Sequence, residues 1–314
     1  MTPHDSIDFA TIRVLDGALA TELERRGWDI SGPLWSAHVL DQAPDAVAGV
    51  HLDYLRAGSD CISTASYQVS ALGYREVGRP ASDAAEALRQ SISIAEQARR
   101  RYAREDPRRI WIAASLGPYG AALHNGAEYH GRYDIAFVDL VAFHAERLAV
   151  LAETGADFVA FETIPSLEEA RAILDAVAQA PGLSAWISFT CRDATHVAHG
   201  ERLEDCAGAV ADSPQVIAVG INCTAPHLVA NLIAEARRGA GGRKPVIVYP
   251  NSGETWDAAT RSWRGKADPG SFTALAREWF AAGAQAVGGC CRTGPAHIAA
   301  IAEGRRKADP DASS

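Results

Sequence analysis

The chain of 314 residues carries little that would place it in a membrane or on a nucleic acid. No apolar stretch approaches the ~18 residues that a membrane-crossing helix needs. Its start, MTPHDSIDF, lacks the charged-then-apolar pattern of a secretion signal, so a cytoplasmic location is the default expectation. Basic residues are scattered, apart from Arg99, Arg100 and Arg101 with Arg104, and the formal charge is −9. That run reads as the solvated face of a helix, so neither a nucleic acid nor a membrane is expected as partner. No G-x-G-x-x-G follows an apolar run, which counts against an open dinucleotide-binding sheet. Lys244, Lys266 and Lys307 are the only lysines. None of them closes an apolar run, which sets aside an aldolase-type barrel with a lysine Schiff base. There is no C-x-x-C pair.

What is present is an ordinary globular composition, 47% apolar and punctuated by 27 glycines and 15 prolines. That supplies enough apolar material for a large core. Short apolar runs recur between longer helical patterns: Arg13–Asp16, Cys61–Ala65, Ile110–Leu116, Phe158–Glu162, Ala185–Thr190, Val216–Cys223, Pro245–Tyr249 and Ala286–Cys290. They mostly lack polar alternation, as strands buried on both faces of a parallel sheet do. Helical patterns over Asp45–Ala57, Ile135–Thr154 and Phe272–Ala282 are each followed by a glycine and then a strand. A glycine suits the left-handed position that ends a helix. Eight strands alternating with helices predict an α/β fold of the (β/α)8 TIM barrel type in a single domain, residues 1–304. Longer early units predict inserted loops around Asp29–Pro44 and Gly117–Tyr133. Residues 305–314 read as a loose, disordered tail.

Catalytic groups of such barrels sit at the C-terminal ends of the strands. Those ends carry Asp16, Glu162, Asn222, Cys223, Asn251, Cys290 and Cys291. With six cysteines in a large chain and no secretion signal, a disulfide framework is not expected. Neighbours in a regular strand point to opposite faces, so Cys290 and Cys291 can share one site only where the backbone leaves strand geometry. Gly288-Gly289 permits that departure. Spacing alone leaves two readings of Cys223, Cys290 and Cys291 open. They are either small buried apolar residues or three thiolates of an open zinc site without a fourth protein ligand. Taken alone, Asp16 reads as a turn or cap residue and Glu162 as a buried ion-pair partner.

Seven segments carry a resemblance over nearly the whole chain. They are LDGALATELERRG from Leu15, HLDYLRAGSDCISTASYQ from His51, SLGPYGAALHNGAEYHG from Ser115, FETIPS from Phe161, GINC from Gly220, VYPNSGE from Val248 and GGCCR from Gly288. With these the chain resembles the homocysteine S-methyltransferases, particularly the branch that uses S-methylmethionine. The resemblance implies a (β/α)8 barrel and Zn2+ held by Cys223, Cys290 and Cys291. It implies that Asp16 and Glu162 hold the amino group of homocysteine, and that Asn222 and Asn251 orient substrate or metal ligands. The implied reaction moves a methyl group from a sulfonium, S-methylmethionine or S-adenosylmethionine, to the thiol of L-homocysteine, giving methionine.

Trp35, Tyr67 and Tyr119 are candidates to face a cationic donor, or else to pack. His124, Tyr129 and His130 lie in the long loop over the mouth. Selenocysteine as acceptor, and a betaine-using methyltransferase, are alternatives within the same barrel. A non-catalytic zinc-binding barrel is a further alternative, disfavoured because structural zinc sites are normally closed by four protein ligands.

Overall fold

The computed structural model describes residues 11–30, 32, 34, 37–257, 262–264 and 268–308. Trp35, Lys266 and positions 309–314 lie outside the described residues. Seven parallel strands form one sheet: β1 (Cys61–Ser63), β2 (Trp111–Leu116), β3 (Phe158–Ile164), β4 (Ala185–Phe189), β5 (Val216–Asn222), β6 (Val246–Tyr249) and, last in the row, β9 (Ala286–Val287). The first apolar run supplies the eighth stave. Val14 bridges Val287 and Leu15 bridges Cys61, both in parallel sense. Leu15 N donates to Val287 O at 2.9 Å and Asp60 N to Val14 O at 2.7 Å. The sheet is thereby closed on itself and has no free edge. A short antiparallel ribbon, β7 (Thr255–Asp257) with β8 (Ser262–Arg264), was not signalled by the apolar pattern; it follows β6 and, among the described residues, forms a separate two-stranded sheet.

The helices are α1 (Leu19–Arg25), α2 (Ala37–Gln42), α3 (Pro44–Arg56), α4 (Ala71–Glu76), α5 (Ala81–Tyr102), α6 (Tyr119–Ala122), α7 (Phe137–Leu151), α8 (Leu167–Ala178), α9 (Leu203–Ala211), α10 (Val229–Ala240), α11 (Pro269–Ala282) and α12 (Pro295–Ala308). Both expected inserted loops hold short helices, α2 in the first and α6 in the second. Helix α12 extends through Ala308, so positions 305–308 are helical where the composition predicts a loose tail. Its last turn carries Arg305, Arg306 and Lys307, cations that suit the negative end of the helix dipole. Of the three glycines expected to close helices, Gly58 and Gly283 take the left-handed conformation, with φ 108° and 104°. Gly155 does not; it is small because the Glu96 carboxylate occupies the place a Cβ would take. Arg99 lies half-buried and pairs with Asp157 at 2.8 Å, while Arg100 is exposed and pairs with Glu96 at 3.4 Å on the same helix.

Period-two alternation sorts each strand into an outer and an inner set. The inner set forms its own cluster, which includes Cys61, Trp111, Ala113, Phe158, Ala160, Trp186, Ala218, Ile247 and Tyr249. Its rings stack edge or tilted along the barrel floor: Trp111 on Phe158 at 6.1 Å, Phe158 on Trp186 at 5.1 Å, and Trp186 on Tyr249 at 6.2 Å. Trp186 Nε1 donates to Tyr249 Oη at 3.1 Å, and Tyr249 Oη donates to Ser188 Oγ at 2.6 Å. The buried polar tips are therefore paired and the floor is packed with aromatic rings. The same alternation continues upward. Two residues after Ala160 comes Glu162, and two after Ala113 comes Ser115, so β3 and β2 each deliver a polar group just above the floor.

Candidate active site

Above that floor lies a cavity of ≈ 290 Å³, lined among others by Asp16, Ser63, Tyr67, Ser115, Glu128, Tyr129, Glu162, Thr163, Cys223, Tyr249, Cys290 and Cys291. It opens at the C-terminal ends of the strands, where barrel chemistry is placed. Of the sequence-predicted residues, Asp16, Glu162 and all three cysteines line it. Asn222 and Asn251 do not.

The three sulfurs lie within 4.8 Å of one another. Cys223 and Cys291 are 3.6 Å apart, sulfur to sulfur. Four ligands at ~2.3 Å from a tetrahedral zinc sit ~3.8 Å from one another, so the spacing fits a metal of that size and coordination. Cys223 follows β5 in the left-handed region, φ 49°, which turns its side chain into the mouth. Strand β9 ends at Val287, and the chain leaves strand geometry through Gly288-Gly289, as the paired cysteines require. The glycines are needed for close approach. A Cβ at Gly288 would stand 2.6 Å from Leu15 Cβ, and one at Gly289 would collide with Thr293. Cys290 N donates to Pro250 O at 2.7 Å, and Ser252 N donates to Cys291 O at 3.1 Å. Arg292, also left-handed at φ 68°, donates to Glu254 Oε2 at 3.1 Å and locks this turn to the segment after β6.

Hydrogen bonds from the Cys223 and Cys290 thiols hold the Cys291 thiol well below its ordinary range. Cys223 is pushed up, because as a thiol it bonds to Cys290 and Cys291 and is buried. One thiolate shared among three close sulfurs is an arrangement that gains from a cation. Cys61, Cys191 and Cys206 lie apart from this cluster and are unpaired thiols.

Asp16 is buried and spends its carboxylate on Ser63, accepting from the backbone N at 2.7 Å and from Oγ at 3.1 Å. Burial raises it well above the carboxylate range, and the nearby Glu162 raises it further. Burial pushes Glu162 up to about 8, against a hydrogen bond from Ser115 that favours the ionised form. Two buried carboxyl groups with few counter-cations make a binding place for a cationic group.

Asn222 is fully buried and acts through its neighbours. Its Oδ1 accepts from Thr163 N at 2.8 Å, its Nδ2 donates to Thr163 Oγ1 at 2.9 Å, and Nδ2 lies 3.9 Å from Cys290 Sγ. It thus holds Thr163 in a left-handed conformation, φ 62°, directly after Glu162. Asn251 donates its backbone N to Thr224 O at 3.0 Å, bracing the turn after Cys223 from outside the cavity. Tyr119 packs edge-on to Tyr133 and Phe143 and takes the packing alternative, whereas Tyr67 lines the cavity. Glu128 and Tyr129 reach in from the inserted loop, and Tyr129 Oη lies 3.7 Å from Cys223 Sγ. The loop was legible as an insertion, but nothing in its sequence fixes which of its side chains turn inward.

The family model of the homocysteine S-methyltransferases matches residues 13–304. The chain is 44% identical to the homocysteine S-methyltransferase of Bacillus subtilis, over 94% of this chain and 95% of that one. It is 42% identical to the selenocysteine Se-methyltransferase of Brassica oleracea, over 92% and 87%. The fold superposes on the metallated crystal structure of the Escherichia coli homocysteine methyltransferase with a TM-score of 0.83 and 38% identity, covering 96% of this chain and 97% of that one. A closed barrel whose mouth gathers three sulfurs and two buried acids, and a match that runs nearly end to end, place this chain in the homocysteine S-methyltransferase family.

Proposed function

We propose that the protein transfers a methyl group from a sulfonium donor to the thiol of L-homocysteine, forming methionine, with Zn2+ on Cys223, Cys290 and Cys291. The observation that carries this reading is the sulfur cluster, three cysteines within 4.8 Å with no fourth protein ligand among the described residues. Such an open position suits a substrate sulfur. All-sulfur ligation favours zinc over the harder cations. Zinc there would keep a bound thiol as thiolate and therefore nucleophilic at neutral pH.

The protein's own residues then have three tasks. Asp16 and Glu162 take the α-ammonium of homocysteine, which supplies the cation their buried carboxyl groups lack. The floor formed by Tyr249 and the rings below it closes the cavity from underneath. Tyr129 and Glu128 cover it from the loop and restrict water. The thiolate electron pair forms the new S–C bond as the old C–S bond breaks, and the leaving group departs as a neutral thioether. No general acid is required, which agrees with a cavity that no histidine among the described residues lines. Holding three atoms collinear is the main demand on the site. A selenolate would suit the same sulfur-lined position, and the Brassica relative favours testing it as a second acceptor.

The test is methionine formation by the purified, zinc-loaded protein, with S-methylmethionine, S-adenosylmethionine and betaine offered separately and homocysteine or selenocysteine as acceptor. Turnover with a sulfonium is expected, and Cys290→Ala should lose both bound metal and activity, by about 1000-fold or more in rate. A zinc-replete protein that methylates neither acceptor from any donor would overturn the assignment.

A further inference from the structure

The cavity contains a third carboxylate that the proposed homocysteine site leaves unused. Glu128 lines it beside Tyr129 and the sulfur cluster. Its Oε2 is buried and meets no hydrogen-bond partner among the described residues. No ion pair to Glu128 is formed among them either. A buried acceptor without a partner is costly, so a site that keeps one has a use for it once a ligand is bound.

The surrounding structure spends much of its polar material on fixing where Glu128 sits. The residue lies in a 3-10 turn, Ala127–Tyr129, within the inserted segment 117–133. Both ends of that segment are tied to one buried cluster. At the start, Arg147 donates to Gly117 O at 3.0 Å, and Tyr119 N donates to Glu169 Oε1 at 2.6 Å. At the end, Tyr133 Oη donates to Glu169 Oε2. Glu169 is completed by His144 Nε2 at 3.0 Å, and His144 by Arg147 at 2.7 Å. His144, Arg147 and Glu169 are all buried, on α7 and α8. In between, the backbone folds onto itself so tightly that a Cβ on Gly120 would stand 2.5 Å from Glu128 N. The loop is therefore a rigid arm, and its inward face presents an uncompensated carboxylate.

Asp16 and Glu162, at the ends of the first stave and β3, are the other two carboxyl groups of the cavity and are taken by the acceptor's ammonium in the reading above. Of the two substrates, the acceptor brings one cation, its ammonium. The donor brings an ammonium of its own and, in addition, a permanent positive charge at the sulfonium sulfur, adjacent to the methyl group in transfer. We propose that Glu128 is the contact for the positive sulfonium centre of the donor and sets the preference for a charged donor, with Glu169 as the positioning residue that holds the arm. This inference rests on the sulfonium-dependent reading above. A carboxylate there favours the cationic donor over the neutral thioether product, so it also favours product release.

The test uses the full-length, zinc-loaded protein and Glu128→Gln, which keeps the shape and removes the charge. Wild-type turnover with a sulfonium, S-methylmethionine or S-adenosylmethionine, comes first; its absence with both would sink the sulfonium reading itself and this proposal with it. Given that turnover, Glu128→Gln should raise the KM for S-methylmethionine about tenfold or more, and weaken its binding by calorimetry to the same degree. The KM for homocysteine and inhibition by methionine, which carries the same ammonium but no sulfonium, should change less than about threefold. Glu128→Asp should recover part of the loss. Glu169→Gln should lower turnover with both KM values disturbed together, while metal content stays at the wild-type level. Equal weakening toward methionine and S-methylmethionine in Glu128→Gln, or an unchanged donor KM, would overturn the proposal.

Discussion

Glu162 shows at the residue scale how an unfavourable group becomes useful. Its carboxyl, pushed up to about 8 by burial, is ionised only at the expense of the folded state. For an acid whose pKa is raised on folding, stability is fully present at low pH and is lost as pH rises through about 8. Glu162→Gln should therefore leave the substrate-free protein as stable as wild type at pH 4 and more stable at pH 8.5, by about 1–3 kcal/mol in urea unfolding. On the proposed reading, in which Glu162 is a partner of the α-ammonium, the same variant should bind homocysteine about tenfold or more weakly. A variant that loses stability at pH 8.5 while keeping its homocysteine KM would mean that Glu162 serves the scaffold. The left-handed residues Thr163, Cys223 and Arg292 belong to this scale as well. Each flanks or forms the site, where strained backbone is commonly found. None is glycine, so sequence gave no sign of the conformation.

At the scale of elements, α3 carries a different tension. His51 is fully buried on its inner face, and neither ring nitrogen has a partner among the described residues. Burial lowers its pKa to about 4. The unfolded chain takes up the proton near the ordinary histidine value, so stability is present above about pH 6.5 and falls as pH drops toward 4. His51→Leu removes that proton uptake. It should flatten the acid side of the stability curve, with the variant gaining about 2 kcal/mol relative to wild type between pH 7 and pH 5. Parallel curves for the two proteins in urea titrations at those pH values would refute the account. Other elements were legible because their patterns are local. Strand β3 reads from its apolar run, and α11 from its helical spacing and closing Gly283. The ribbon β7–β8 and the short α6 were not legible, since their three- and four-residue elements are too short to carry a period.

For the molecule as a whole, the sulfur cluster ties β5 to the chain after β9, staves that have β6 between them. A metal that binds the folded arrangement and not the unfolded chain stabilises by mass action. Chelator treatment should lower Tm by about 5–10 °C, and added Zn2+ should restore it. Identical melting with and without chelator, in protein shown to have lost its metal, would argue that the cluster is preformed without energetic coupling to the barrel.

The sequence by itself determined the barrel and the three cysteines at its mouth. Both are written in short-range patterns, apolar runs that repeat and motifs that hold two or more functional residues together. It did not determine that Val14–Leu15 closes the sheet through single bridges. It did not determine that Asn251 stands outside the cavity while Tyr129 reaches Cys223. Those outcomes depend on how distant segments pack and on which way a loop turns at its tied ends. Only the tertiary structure decided that Glu128 faces inward, because the forces that aim it come from Arg147 and Glu169, residues 19 and 41 positions away in the chain.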